Sequence, residues 1–115
     1  MTRQGVREED LACRFLEARG LVLVERNFRV KGGELDLVMR DADTLVIVEV
    51  RKRTNRWFGT AAESVDARKQ ARLLHAAACL LARRAALARM PVRFDVAAIG
   101  ADDRIDWIRA AFDAG

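Results

Sequence analysis

The stretch from Glu34 to Val50 restricts the fold of this chain more than any other. Two strand-length runs, residues 34–40 and 45–50, flank the turn Asp41-Ala42-Asp43, and a connection that short joins antiparallel strands. With the loop centred on Ala42 and Asp43, Asp36 faces Glu49, Val38 faces Ile47 and Glu34 faces Arg51. Side chains alternate with period two, so these six share one face. Leu35, Leu37, Met39, Val46, Val48 and Val50 line the other. A slip of one residue would separate Asp36 from Glu49, so the register carries the whole inference.

Residues directly opposite on neighbouring strands have Cβ atoms about 4.5–5.5 Å apart. Two carboxylates that close repel unless protons or a cation intervene. A hard divalent ion such as Mg²⁺ suits them, because it takes oxygen ligands and keeps several waters. The same residues also allow plain ion pairs, Glu34 with Arg51 across the strands and Glu49 with Arg51 along one of them. Against that, Asp36 and Glu49 interrupt otherwise apolar strands, where an unpaired charge is expensive. Glu9 falls on the wheel of an N-terminal helix with Ala12, Cys13 and Leu16 and so faces partly inward. A helix packed on the carboxylate face would aim it at the same site; a first-turn Glu favoured by the helix dipole is the alternative.

Around the hairpin the pattern is equally regular. Leu11, Ala12, Phe15 and Leu16 give a helix over about residues 7–19, stopped by Gly20. Residues 21–24 and 28–30 read as a strand with an irregular middle at Asn27, followed by the turn Lys31-Gly32-Gly33. Leu73, Leu74, Ala77, Leu80 and Leu81 mark a long helix over about residues 62–88, and Pro91 ends it. Residues 92–99 and 105–108 give two more strands. The order α-β-β-β-α-β-β implies an α/β fold, a mixed central sheet flanked by helices on both faces. The 115 residues have room for one domain, spanning 1–115. The apolar run from Ala76 to Ala82 is far short of the ~20 residues of a membrane span, and the N-terminus lacks an apolar signal segment. Cys13 and Cys79 sit in apolar helical patterns without metal-ligand spacing and read as reduced, buried residues of a cytoplasmic protein.

Charge is clustered rather than merely positive. Eighteen Arg, three Lys and twenty Ala point to a GC-rich genome, so the net charge of +4 says little alone. Residues 61–90, however, carry six basic and two acidic groups, and Arg51, Lys52, Arg53 and Arg56 form a run with no acid between Val50 and Ala62. Arg68 and Arg72 share a helix face with His75, and Lys69 lies beside them, a second track for phosphates or a solvated face. Trp57 and Phe58 fit base stacking or anchoring of their loop to the core.

Several segments in order carry a family resemblance: Glu9-Asp-Leu-Ala12 with Phe15-Leu16, Arg26-Asn27-Phe28-Arg29, Gly33-Glu-Leu-Asp-Leu37, Val48-Glu-Val-Arg-Lys-Arg53, Phe58-Gly59, Lys69 with Arg72 and Leu73, and Arg93-Phe-Asp-Val96. Together they resemble a YraN-like bacterial family, itself similar to the restriction-endonuclease-like superfamily with its PD-(D/E)XK signature and to archaeal Holliday-junction resolvases in layout. The resemblance implies a restriction-endonuclease-like core and a metal-dependent endonuclease acting on DNA, in preference to RNA, or on structured nucleic acid. It implies that Asp36 and Glu49 ligate Mg²⁺ or Mn²⁺, and that Glu9 is the helix-borne acid of the resolvase branch. The motif lysine falls at position 51, which holds Arg, and the motif proline falls at Leu35. Arg51 remains suited to orienting a nucleophile or neutralising phosphorane charge. Lys52 alternates to the opposite face. Arg53, Arg56, Lys69 and Arg72 are the expected phosphate contacts, and a homodimer fits a nuclease that cuts two strands. A non-catalytic nucleic-acid-binding module with the same fold, inactive because Arg51 replaces the lysine, is the alternative. A protein-interaction scaffold is a third.

Overall fold

The structure is a computed structural model that describes residues 5–53 and 65–112. It contains helix α1 (Val6–Glu17), strands β1 (Val22–Val30), β2 (Gly33–Asp41) and β3 (Thr44–Lys52), helix α2 (Ala67–Arg83), and strands β4 (Val92–Ile99) and β5 (Ile105–Phe112). The five strands form one sheet in the order β1-β2-β3-β4-β5. All neighbours are antiparallel except β3 and β4, which run parallel. A parallel pair needs a long crossover, and α2 lies within it. This is the expected α-β-β-β-α-β-β order with a mixed sheet.

The helices cover opposite faces, each with its own core. Ala12, Cys13 and Leu16 of α1 pack with Leu37, Met39, Val46, Val48, Ala97 and Ile99. Leu73, Ala76, Ala77 and Leu80 of α2 pack with Val38, Leu45, Ile47, Phe94, Val96 and Ala98. Alternation along β2, β3 and β4 thus sends successive side chains to different helices. Cys13 is buried, which pushes its thiol up from the usual value, whereas Cys79 is only half-buried.

Three details, in α2, at Leu35 and in β5, depart from the sequence reading, and the irregularity expected at Asn27 is present. Helix α2 is shorter than residues 62–88: Asp66 caps it by accepting from the Lys69 amide at 2.9 Å, and Arg84 at φ −126° and ψ 92° ends it before a single 3₁₀ turn, Ala85–Leu87. Residues 62–64 lie outside the described part. Asn27, at φ 54°, breaks the alternation of β1, so that Arg26 reaches Asp10 on α1 at 2.7 Å while Phe28 joins the α2 core. Leu35, paired with Phe28, joins that core too instead of lying with Leu37. Finally, β5 continues four residues past Ile108, through a register irregularity against Phe94 and Val96 and a left-handed Ala110. Asp95 fastens that irregular stretch: it accepts from Arg93, from the Trp107 indole at 2.9 Å and from the Ala110 amide at 2.9 Å.

Candidate functional site

The β2–β3 ladder runs Asp41↔Thr44, Arg40↔Leu45, Met39↔Val46, Val38↔Ile47 and Leu37↔Val48. This is the register expected from a turn centred on Ala42 and Asp43. The ladder ends at Leu37↔Val48, and just beyond it the Asp36 side chain lies close enough to Glu49 to feel its charge. There the carboxylate of Asp36 itself accepts the Val50 amide at 2.9 Å, and a cleft of about 510 Å³ opens. Gly5, Glu8, Glu9, Glu34, Asp36, Glu49, Val50, Arg51, Lys52 and Lys69 line it.

Five of these side chains are carboxylates. Among the described residues only three charged side chains are buried, and two of them, Glu9 and Glu49, belong to this cleft. Burial, followed by the charge of Glu49 close by, pushes the Asp36 carboxyl up to about 7 against the opposing pull of the Val50 amide and Lys69. Asp36 and Glu49 therefore confront each other as expected, and the structure holds them together at an electrostatic penalty.

Two cations converge on one oxygen of Glu49. Arg51 Nη1 lies 3.6 Å and Lys69 Nζ 3.2 Å from Oε2. Arg51 thus shares the face of Glu49, and the ion pair along the strand exists. Glu34 accepts from Arg29 at 2.9 Å. Glu49 Oε1 is buried and accepts no hydrogen bond among the described residues. A hard cation fits such a carboxylate pair, since Mg²⁺ is commonly held by one or two carboxylates together with waters and substrate phosphates. Among the described residues no three His, Cys, Asp or Glu side chains form a ligand set. Glu9 lines the cleft without completing one.

Helix α1 approaches from the face opposite to the one expected. It packs on Leu37, Val46 and Val48, while the face of Ile47 and Glu49 belongs to α2. Glu9 nevertheless lines the same cleft, held 3.5 Å from Arg26 Nη2. The sequence does not mark Arg26 for this site; its place beside the irregular Asn27 is the available signal. Lys69 was assigned to a phosphate track, and its contact with Glu49 depends on how α2 docks. Lys52, opposite Ile99 on β4, alternates away from Glu49 and contributes only to the rim.

The remaining basic residues are placed as follows. Arg53 bonds Asp106 of β5 at 2.6 Å, and Arg72 is exposed on α2 beside Arg68. Arg56, Trp57 and Phe58 lie outside the described residues. His75 bonds the Lys31 carbonyl at 2.9 Å, a structural contact. No described helix is long and apolar enough to cross a membrane.

Fold and cleft define a three-layer α/β protein whose sheet opens, at the end of one hairpin, onto an acidic cleft guarded by Arg and Lys. Residues 8–99 match the family described as uncharacterised protein family UPF0102, and the chain belongs to it. It is 54% identical to a UPF0102 protein of Cupriavidus metallidurans, over 99% of this chain and 84% of that one. It is 47% identical to a UPF0102 protein of Pseudomonas aeruginosa, over 96% and 93% of the respective chains. The bacterial-family resemblance seen in the sequence is met at this level.

Proposed function

We propose that this chain is a metal-dependent phosphodiesterase of restriction-endonuclease-like type that cleaves DNA or structured nucleic acid. One observation carries the reading: two opposed carboxylates, one with its pKa raised to about 7, are kept together beside Lys69 and Arg51. Two carboxylates held close in a cleft, one of them pushed up by burial and by its neighbour, are a frequent mark of a functional site, and a cation would offset their repulsion. Asp36 and Glu49 would hold Mg²⁺ or Mn²⁺, with Glu9 in the cleft wall, and the bound ion would supply an activated water and offset charge on the leaving oxygen. Lys69 steadies Glu49 and brings an ammonium group into the cleft beside the guanidinium of Arg51. Arg51 is suited to the charge that develops on the attacked phosphate. The motif lysine missing at position 51 is in this reading supplied from α2. Arg53, Arg56, Lys69 and Arg72 serve the nucleic-acid backbone. A cytoplasmic location and a homodimer that cuts both strands belong to the same proposal.

Arg51 itself favours one other reading, a binding module that kept the fold and lost the chemistry. Incubation with branched, nicked and single-stranded DNA in Mg²⁺ or Mn²⁺ decides between them. Metal-dependent products that vanish in Asp36→Asn and Glu49→Gln are expected. Salt-sensitive binding without any product, in wild type and Arg51→Lys alike, would leave the binding module.

A further inference from the structure

The acidic cleft has a basic neighbour. Arg51, Arg68, Lys69 and Arg72 line an adjoining pocket together with Asp66, and Arg51 and Lys69 line both. Among the described residues the one acid there is committed, because Asp66 caps α2 through the Lys69 amide. Arg68 and Arg72 lie one helical turn apart, both exposed, and among the described residues neither makes an ion pair. Such a pair of like charges at i and i+4 destabilises a helix. Cations in the first turn, where α2 has no acid of its own, add to this by opposing the helix dipole. Nothing in the packing of α2 asks for either arginine, since its buried face is Leu73, Ala76, Ala77 and Leu80. An anion in the pocket would relieve both repulsions. Guanidinium groups fork onto phosphate oxygens, with two parallel bonds to one group.

We infer that this pocket takes a second phosphate of the substrate strand, next to the one that reacts in the cleft. The substrate is then a polynucleotide strand with consecutive phosphodiesters rather than an isolated phosphodiester. This rests on the nucleic-acid reading above, but the residues that carry it, Arg68 and Arg72, stand outside the carboxylate cleft.

The test measures binding to the full chain with Ca²⁺ in place of Mg²⁺, a hard ion that oxygen ligands also take, using a thymidine dinucleotide, a trinucleotide and inorganic phosphate as probes. The wild type is expected to hold the trinucleotide about tenfold more tightly than the dinucleotide, the worth of one charged hydrogen-bonded contact. Arg68→Gln with Arg72→Gln should erase that advantage and flatten the trinucleotide's salt slope by ~0.7, one single-strand phosphate. Equal binding of the two oligonucleotides by the wild type overturns the inference and leaves the nuclease reading standing on its cleavage assay. Inorganic phosphate that saturates the pocket and is not displaced by the trinucleotide overturns it in favour of a free-anion site. A trinucleotide advantage that the double variant removes, in a chain that cleaves no DNA, sustains the pocket and sinks the nuclease.

Discussion

Gly33 of β2 lies against the Arg72 carbonyl of α2, so closely that a Cβ at position 33 would overlap that oxygen. This contact fixes how deep α2 sits on the sheet and thereby brings Lys69, one turn earlier, to Glu49. Gly33→Ala should lift the helix and lower stability by about 1–3 kcal/mol, as overpacking does. Urea unfolding measures the loss, and cross-peaks between Lys69 and Glu49 side chains report the shift; an unchanged midpoint would show that the helix yields freely.

Asp36 links stability to pH. Its carboxyl stands at about 7 in the fold against 3.8 ordinarily, chiefly through burial. Between those values the native state keeps a proton that the unfolded chain has released. Stability therefore falls as pH rises through that window and levels off above about 7. Asp36→Asn should remove this fall and be more stable than wild type at pH 8 by roughly 1 kcal/mol or more, each pKa unit being ~1.4 kcal/mol. Urea midpoints at pH 5 and pH 8 check it, and parallel slopes for the two proteins would contradict it.

Under the nuclease proposal, Lys69 and Arg51 contribute separately. Lys69→Ala and Arg51→Ala should each lower the cleavage rate by about 10²–10³-fold, the usual effect of losing a donor that stabilises the transition state. Arg51→Lys should retain or raise the rate. Single-turnover rates on the best DNA substrate measure all three, and full activity in Lys69→Ala would return the lysine to a purely structural part.

Asp95 stabilises the fold away from the cleft. It is 1% exposed and engaged by Arg93, Trp107 and the Ala110 amide. Asp95→Ala leaves the Trp107 indole and the Ala110 amide without their acceptor, Arg93 keeping Asp41 as a partner, and should lower stability by about 1–3 kcal/mol. Denaturation followed by tryptophan fluorescence detects the loss; a change below about 1 kcal/mol would mean that β5 holds without its anchor.

Ala42 adopts φ 52° in the hairpin turn, a left-handed conformation that disfavours a Cβ by roughly 1–2 kcal/mol. Ala42→Gly should raise stability by about 0.5–1 kcal/mol, after allowance for the greater freedom of glycine in the unfolded chain. Thermal unfolding gives the sign directly, and a lower midpoint would refute it.

The hairpin register was legible because the turn and the alternation of Leu37, Val46 and Val48 leave a single pairing that buries one apolar face. The opposition of Asp36 and Glu49 followed from it. Features that depend on other parts of the chain were not legible. Helix periodicity places Lys69 beside Arg68 and Arg72, but its contact with Glu49 depends on Gly33, 36 positions earlier in the chain, and on no pattern within the helix. Asn27 marked an irregularity without disclosing that Phe28 and Leu35 would change cores. The second half of β5 was hidden because a left-handed Ala110 interrupts the alternation by which a strand is recognised. Asp66 offered a cap that the apolar stripe of α2 did not require, so the helix was drawn too long.

The bond from the Val50 amide to the Asp36 carboxylate gives the protein an internal gauge. An amide proton that donates to a carboxylate moves in resonance frequency when that group gains or loses charge. One backbone signal therefore reads the ionisation of Asp36, and any cation drawn to it, without substrate, turnover or label in the cleft.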